Sequence, residues 1–253
     1  MTFSVAKVRS GLTIVAAVAQ VLAGAAPQAL GWPHDISIRS GELGTAIVPA
    51  GWAFSIWGPI FLGSLAFAIY GAWRGLASPL VQRLGWLPFA LFALAACWEL
   101  YVPLRSLDWI SWLVLLAQFG IGVRLVYVLD AARPLSILET IVVRAPLTVY
   151  AGWIAAAMCV SLPSTLRFHG LEMPPEGLLG LSLGMIALAA VGAAWVAWAA
   201  GGWLYAAPVV WALAAVIAAN QGAGGVEAIA FAAGVGAAVL IAVSAARLMR
   251  RAA

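Results

Sequence analysis

The chain has 253 residues, 65% of them apolar and only 9% charged, with 13 lysines and arginines against 9 acidic residues for a net charge of +4. A soluble domain carries about 25% charged residues, so a water-facing surface is excluded. The basic residues are scattered between apolar runs, which excludes a nucleic-acid face. What remains is an all-α, polytopic transmembrane helix bundle, because lipid offers backbone groups no partner and about 20 apolar residues cross its core.

The apolar runs predict about eight spans. Residues 11–30 form the first. Lys7 and Arg9 ahead of it imitate a signal peptide, but the apolar stretch of roughly 20 residues is long for a cleavable segment, so a retained helix is expected. The connection 32–48 holds His34, Asp35, Arg39 and Glu42. It reads as a solvated loop whose mixed charge suits a lid over an outward-facing pocket.

The second span, 49–73, opens with an aromatic segment containing Pro49, Gly51, Trp52, Phe54, Trp57, Pro59 and Phe61. Pro49 suits a first helical turn, whereas Pro59 lacks the N–H that would meet the Ser55 carbonyl. On a continuous helix Trp52, Ser55 and Pro59 share one face, and Trp57 and Phe61 another. Aromatics entering a bundle beside a polar loop make a wall for a flat, apolar ligand, with plain core packing as the alternative.

The third span, 85–104, carries Cys97, Trp98 and Glu99. A carboxylate at that depth either pairs near Arg105 at the span end or faces the bundle to meet a ligand or a proton. The fourth span, 109–128, contains Gln118 and Arg124, read as an interhelical amide, like Gln20, and a snorkelling cation. Leu125, Tyr127 and Arg133 satisfy a loose cholesterol-recognition pattern that carries little weight. The fifth span, 146–162, contains Tyr150-Ala-Gly-Trp153 and Cys159. Both cysteines read as small hydrophobes, and neither a disulfide nor a metal framework is implied.

A second outer connection, 163–177, holds Arg167, His169, Glu172 and Glu176. The last spans are 178–200, 203–219 and 226–246. Gly201-Gly202 is so short a link that the sixth and seventh spans are either separate or one broken element, and Pro208 predicts a kink. Gly180 and Gly184 form a GxxxG pair, compatible with close helix contact, and a homodimer is among the expected partners together with the lipid bilayer.

Eight spans with the N-terminus inside collect Lys7, Arg9, Arg74, Arg83, Arg124, Arg133, Arg144, Arg247, Arg250 and Arg251 on one face, and Arg39, Arg105 and Arg167 on the other. Cationic residues are retained on the cytoplasmic side, so both termini are expected there, in a bacterial inner membrane. Trp32, Trp73, Trp86, Trp109, Trp112 and Trp203 fall at span ends, where indole rings anchor at the headgroups.

The Pro49, Gly51, Trp52, Phe54 and Trp57 pattern, together with Pro146, Tyr150 and Trp153 in the fifth span, resembles the tryptophan-rich sensory protein/translocator protein family (TspO/MBR). Trp98 in Ala93–Tyr101 is a weaker echo of that family's third helix. The resemblance covers residues 10–163, which implies a five-helix core at 1–163 and a three-helix extension at 164–253. Three positions depart from the family pattern. Trp52 and Trp57 are one residue closer than usual, Ser161 stands where an asparagine is expected, and Pro146 is separated from Tyr150.

The resemblance implies a membrane receptor or transporter that binds a porphyrin or other tetrapyrrole in a pocket capped by the loop after the first helix. No cofactor is required. Carried over, the lining is Trp52, Phe54, Trp57, Trp98, Tyr150 and Trp153, with Glu99 as a proton-linked candidate. Two other readings stand beside it: a proton-coupled small-solute secondary transporter using Glu99, and an accessory subunit packed against a partner. No acid–base machinery is visible, so enzymatic activity is not expected.

Overall fold

A computed structural model describes residues 3–74, 77–171, 173–222 and 224–252. Glu172 of the second outer connection and the side chain of Arg251 lie outside the described residues. The chain is an integral membrane bundle in which every long element is a helix. The long helices are α1 (Phe3–Ala29), α3 (Trp57–Arg74), α5 (Leu87–Arg105), α6 (Trp109–Ala131), α8 (Ala145–Phe168), α9 (Pro175–Val196), α10 (Trp203–Ala219) and α11 (Glu227–Ala252). Short helices α2 (Ile36–Glu42), α4 (Pro79–Leu84) and α7 (Ile137–Glu139) lie in connections.

Seven of the elements are long and apolar enough to cross a membrane, and α10, with 17 residues, is shorter. At 1.5 Å per residue it spans about 25 Å. Its two ends lie at opposite ends of the bundle. Arg144 at the start of α8 donates to Gly201 O, just before α10, while Asn220 at its far end donates Nδ2 to Ala46 O in the opposite loop, at 2.8 Å. The sixth and seventh spans are therefore separate antiparallel helices joined at Gly202, whose φ of 63° is open to glycine without strain.

α8 is the central helix, packed against α3, α6, α9 and α10. Gly152 sets the approach of α10. A Cβ there would overlap Tyr205 O and stand 2.6 Å from Pro208 Cγ, so only glycine lets the kinked α10 backbone lie against α8. The buried core runs without a break from Ala16 in α1 through Tyr150 and Trp153 to Ala212, Ile229 and Leu240. Residue 163, expected to end a five-helix unit, falls inside α8.

Arg144 and Arg247, expected among the cations of the cytoplasmic face, are both buried, and both donate to the widened π-turn Ala197–Gly201 that closes α9. Arg247 donates to Ala197 O and, at 3.4 Å each, to Ala199 O and Asp130 Oδ1, while Arg144 takes Gly201 O at 3.3 Å. Ala197 O also accepts the Gly202 N–H at 2.8 Å, so the arginines add side-chain donors at a helix end whose last carbonyls run short of intrahelical partners. Arg9 is buried too, with Nη2 on Gln82 Oε1 at 3.3 Å. Arg124 is exposed, as a snorkelling cation should be.

Trp73, Trp86, Trp109 and Trp203 are exposed at helix ends, as interface anchors are. Trp112 instead turns inward and donates Nε1 to Met158 O on α8 at 3.2 Å. Gly180 and Gly184 face outward, and a Cβ added at either would meet nothing within 4 Å, so that GxxxG pair serves no close helix contact among the described residues.

Candidate functional site

The aromatic segment at residue 51 does not start as an α-helix. Gly51–Ile56 is a 3-10 turn, and α3 begins only at Trp57. Pro59 then sits in the first turn of α3, where its missing N–H is one of the donors that have no intrahelical partner anyway. The expected loosening at Ser55 is thereby absorbed by the change of helix type. The tighter turn also redirects the side chains, because residues three apart eclipse in 3-10 geometry instead of drifting round the axis.

Trp57 becomes the hub. It stacks on Phe61 (centroids 5.3 Å, 25° between planes) and meets Tyr150 edge-on at 5.9 Å, Trp153 edge-on at 6.0 Å and Trp98 tilted at 6.4 Å. Phe54 stands edge-on to Trp153 at 6.3 Å. Five of the six expected lining residues, Phe54, Trp57, Trp98, Tyr150 and Trp153, thus converge from the 3-10 turn, α3, α5 and α8. Tyr150 and Trp153, three residues apart, share a face of α8 toward α3, while Gly152 between them faces α10.

Trp52 is the exception. It is 47% exposed and packs edge-on against Trp211 of α10 at 4.8 Å, outside the cluster. The Trp211 indole donates to Ala53 O at 3.0 Å, and Ala50 N donates to Ala215 O at 3.0 Å, so the 3-10 turn is stitched to α10.

Two compartments adjoin the cluster, with Phe54 and Ile36 common to both. One, of about 210 Å³, lies between α1, α2 and α3 and is lined by Gly24, Gln28, Asp35, Trp57, Phe61 and Glu99 among others. The second is a narrow apolar cleft toward α8 and α10, bordered by Trp98, Trp153, Val160, Ser161 and Ala212. The short helix α2 roofs both, contributing Ile36 with Ser37 on one side and Ser40 on the other. Asp35 caps it by accepting from Ile38 N at 2.8 Å, and Arg39 ties it to the bundle by donating Nε and Nη2 to Pro103 O.

Below the rings, the Tyr150 hydroxyl donates to Gln20 Oε1 at 2.9 Å. Around them lies an unusual set of buried polar atoms without a partner among the described residues: Nε1 of Trp57, Trp98 and Trp153, Nε2 of Gln20, and Oε1 of Glu99. A buried indole N–H normally finds an acceptor, and an orphaned polar group costs about 1–3 kcal/mol. Glu99 is 3% exposed and faces α1 at Gly24, so of the two places open to it the bundle interior is the one it takes.

Some contributors were invisible in the sequence. Ile36, Ser40 and Ala212 carry no chemical signature, and only α2 and α10 lying over the cluster brings them in. A further outer cavity of about 520 Å³, between Thr45, Arg167, Leu179 and Ile229, holds none of the expected lining residues. No group of three or more metal-ligating side chains occurs among the described residues.

Comparison with known proteins returned one family match. The model described as TSPO-like protein covers residues 10–246, from within α1 to within α11. Neither a curated protein nor a solved structure matches the chain.

Proposed function

Since the chain belongs to the TSPO-like protein family, we propose that it is a membrane receptor or transporter-type protein that takes a flat, apolar ligand of the tetrapyrrole kind under α2. The observation that carries this reading is the convergence of Phe54, Trp57, Trp98 and Trp153 on two adjoining compartments, with three indole N–H groups left without acceptors. Apolar walls with a few polar atoms to fix orientation are what small-molecule sites present. Trp57, not Trp52, is the central ring of the cluster in this chain.

Space limits what enters without rearrangement. Pockets for drug-sized ligands measure about 300–1,000 Å³, whereas the larger compartment here is about 210 Å³. A molecule of three fused rings suits that compartment, and a tetrapyrrole requires Phe54 to swing aside so that the two compartments merge.

Protoporphyrin IX titrated into the purified chain in detergent, followed by tryptophan fluorescence, tests the reading. The Trp57→Ala, Trp153→Ala double variant should bind at least about tenfold more weakly, a loss of about 1.4 kcal/mol. Trp52→Ala should bind as the unaltered chain does. Equal affinity in all three proteins refutes the assignment.

For orientation, the exposed cations Arg74, Arg83, Arg124, Arg133 and Arg250 support both termini being cytoplasmic. Removing Arg144 and Arg247 from the count, because they serve the π-turn, leaves the asymmetry intact.

A further inference from the structure

The compartment between α1, α2 and α3 contains acid and no base. Glu99 and Asp35 both line it, and no lysine, arginine or histidine among the described residues does. The nearby cations are committed elsewhere. Arg39 holds Pro103 O and pairs with Glu42 at 3.2 Å, and Arg167 donates to Gly44 O at 3.0 Å.

The Glu99 carboxylate is 3% exposed, its Oε1 has no donor, and its Oε2 stands 3.4 Å from where a Cβ on Gly24 would be. A glycine at 24 leaves room for that carboxylate and for the edge of the Phe61 ring, whose Cε2 would lie 2.8 Å from the same Cβ. Carboxylates that serve the fold here have partners. Asp130 holds Arg247, Asp108 accepts from Tyr101 OH at 2.6 Å and from Ser111 N at 2.9 Å, and Glu139 closes a capping box with Ser136. Glu99 lines this cavity, and its buried Oε1 has no donor among the described residues.

Beside it stand Trp57 and Phe61, stacked and both lining the same cavity. Aromatic faces attract cations, and more strongly where water is excluded. A buried carboxylate lacking a donor and an aromatic wall have the same complement: a positively charged N–H group carried on a flat apolar body.

We propose that this compartment recognises the protonated amine end of a planar aromatic ligand, with Glu99 accepting its N–H and Trp57 and Phe61 forming the cation-binding wall. This rests on the aromatic-pocket reading above and narrows it: among ligands of one shape, the cation is selected over the neutral molecule. Asp35 adds attraction without direct contact.

The test uses two fused three-ring probes with the purified full chain in detergent at neutral pH, 9-aminoacridine as the cation and anthracene as its neutral counterpart. Saturable quenching of tryptophan fluorescence is the readout. For 9-aminoacridine, Glu99→Gln should weaken binding at least about tenfold, the loss of one charge-assisted hydrogen bond, while anthracene affinity stays the same. Asp35→Asn, which keeps the α2 cap because asparagine caps as well as aspartate does, should weaken 9-aminoacridine by roughly twofold to fivefold at low salt and by less at high salt.

Equal 9-aminoacridine affinity in the unaltered chain and in Glu99→Gln overturns the inference. Saturable anthracene binding without 9-aminoacridine binding overturns it alone and leaves the aromatic-pocket reading standing. Absence of saturable binding by either probe overturns both. If Glu99→Gln fails to purify as a folded species, a full response of 9-aminoacridine that is unchanged in Asp35→Asn at low salt counts against the inference.

Discussion

Gly152→Val is expected to prevent accumulation of the folded chain, or to lower its thermal midpoint in detergent more than any surface substitution does. The α10 backbone carbonyl of Tyr205 and the ring of Pro208 occupy the space that any side chain at 152 needs. Overpacking in a core costs about 1–3 kcal/mol where side chains can shift. Here the obstacle is backbone held between two helices, so about 3 kcal/mol or more is expected, a large share of the roughly 5–15 kcal/mol by which folded chains are stable. Even Gly152→Ala should be clearly destabilised. Gly120→Ala supplies the contrast. Nothing lies within 4 Å of the added Cβ there, so the better helix propensity of alanine makes it neutral or more stable by up to about 1 kcal/mol. If thermal unfolding shows the two alanine variants to be alike, the close approach of α8 and α10 at Gly152 is refuted.

The second large effect belongs to Arg247. Replacing it by leucine removes a side-chain donor to Ala197 O and Ala199 O and one of the two cations facing Asp130. Breaking a buried, hydrogen-bonded charge costs about 3–5 kcal/mol because the partners remain behind unpaired. Exposure of Asp130 to solvent and its 3.8 Å approach to Arg133 place the expected loss near the lower end, about 3 kcal/mol. Lysine should restore only part of it, since one ammonium cannot fork between two carbonyls and a carboxylate. Asp130→Asn combined with Arg247→Leu should cost less than the sum of the two single changes, the mark of a direct interaction. Arg250→Leu, which removes a contact of the guanidinium over the Trp198 ring at 5.6 Å, should change the midpoint little. Denaturation midpoints for these five variants, the Asp130→Asn single change included, decide the matter, and additivity would argue against the pairing.

The spans were legible because lipid leaves the backbone one way to satisfy itself, and every expected span corresponds to a helix. Their ends were less so. The fifth span was expected to begin at 146, yet the helical path continues back to Ile137 through the π-turn Thr140–Arg144, because Arg144 finds a carbonyl inside the protein and need not mark an interface. The charge pattern reads the number of crossings but cannot tell a cation that meets headgroups from one that closes a helix end.

At the site, Tyr150 and Trp153 were legible as a pair from their spacing on one helix. Trp57 was placed correctly with Phe61, but Trp52 was not, since its direction depends on a 3-10 turn that no spacing rule for an α-helix reveals. The partnerless indoles could not have been foreseen at all, because an unmade hydrogen bond is a property of the surroundings and not of the residue.

The stitching of the 3-10 turn to α10 bears on how such a pocket is kept shut. The carbonyls of Ala46 and Ala53 and the amide of Ala50 are all satisfied by α10 or by Asn220 at its end. A chain stopping after α8 would leave these groups without those partners, and each would need another donor or acceptor from protein or water. The later helices therefore act as a seal on the aromatic chamber. In a shorter relative, the same seal would have to come from a neighbouring molecule or from a differently folded entrance.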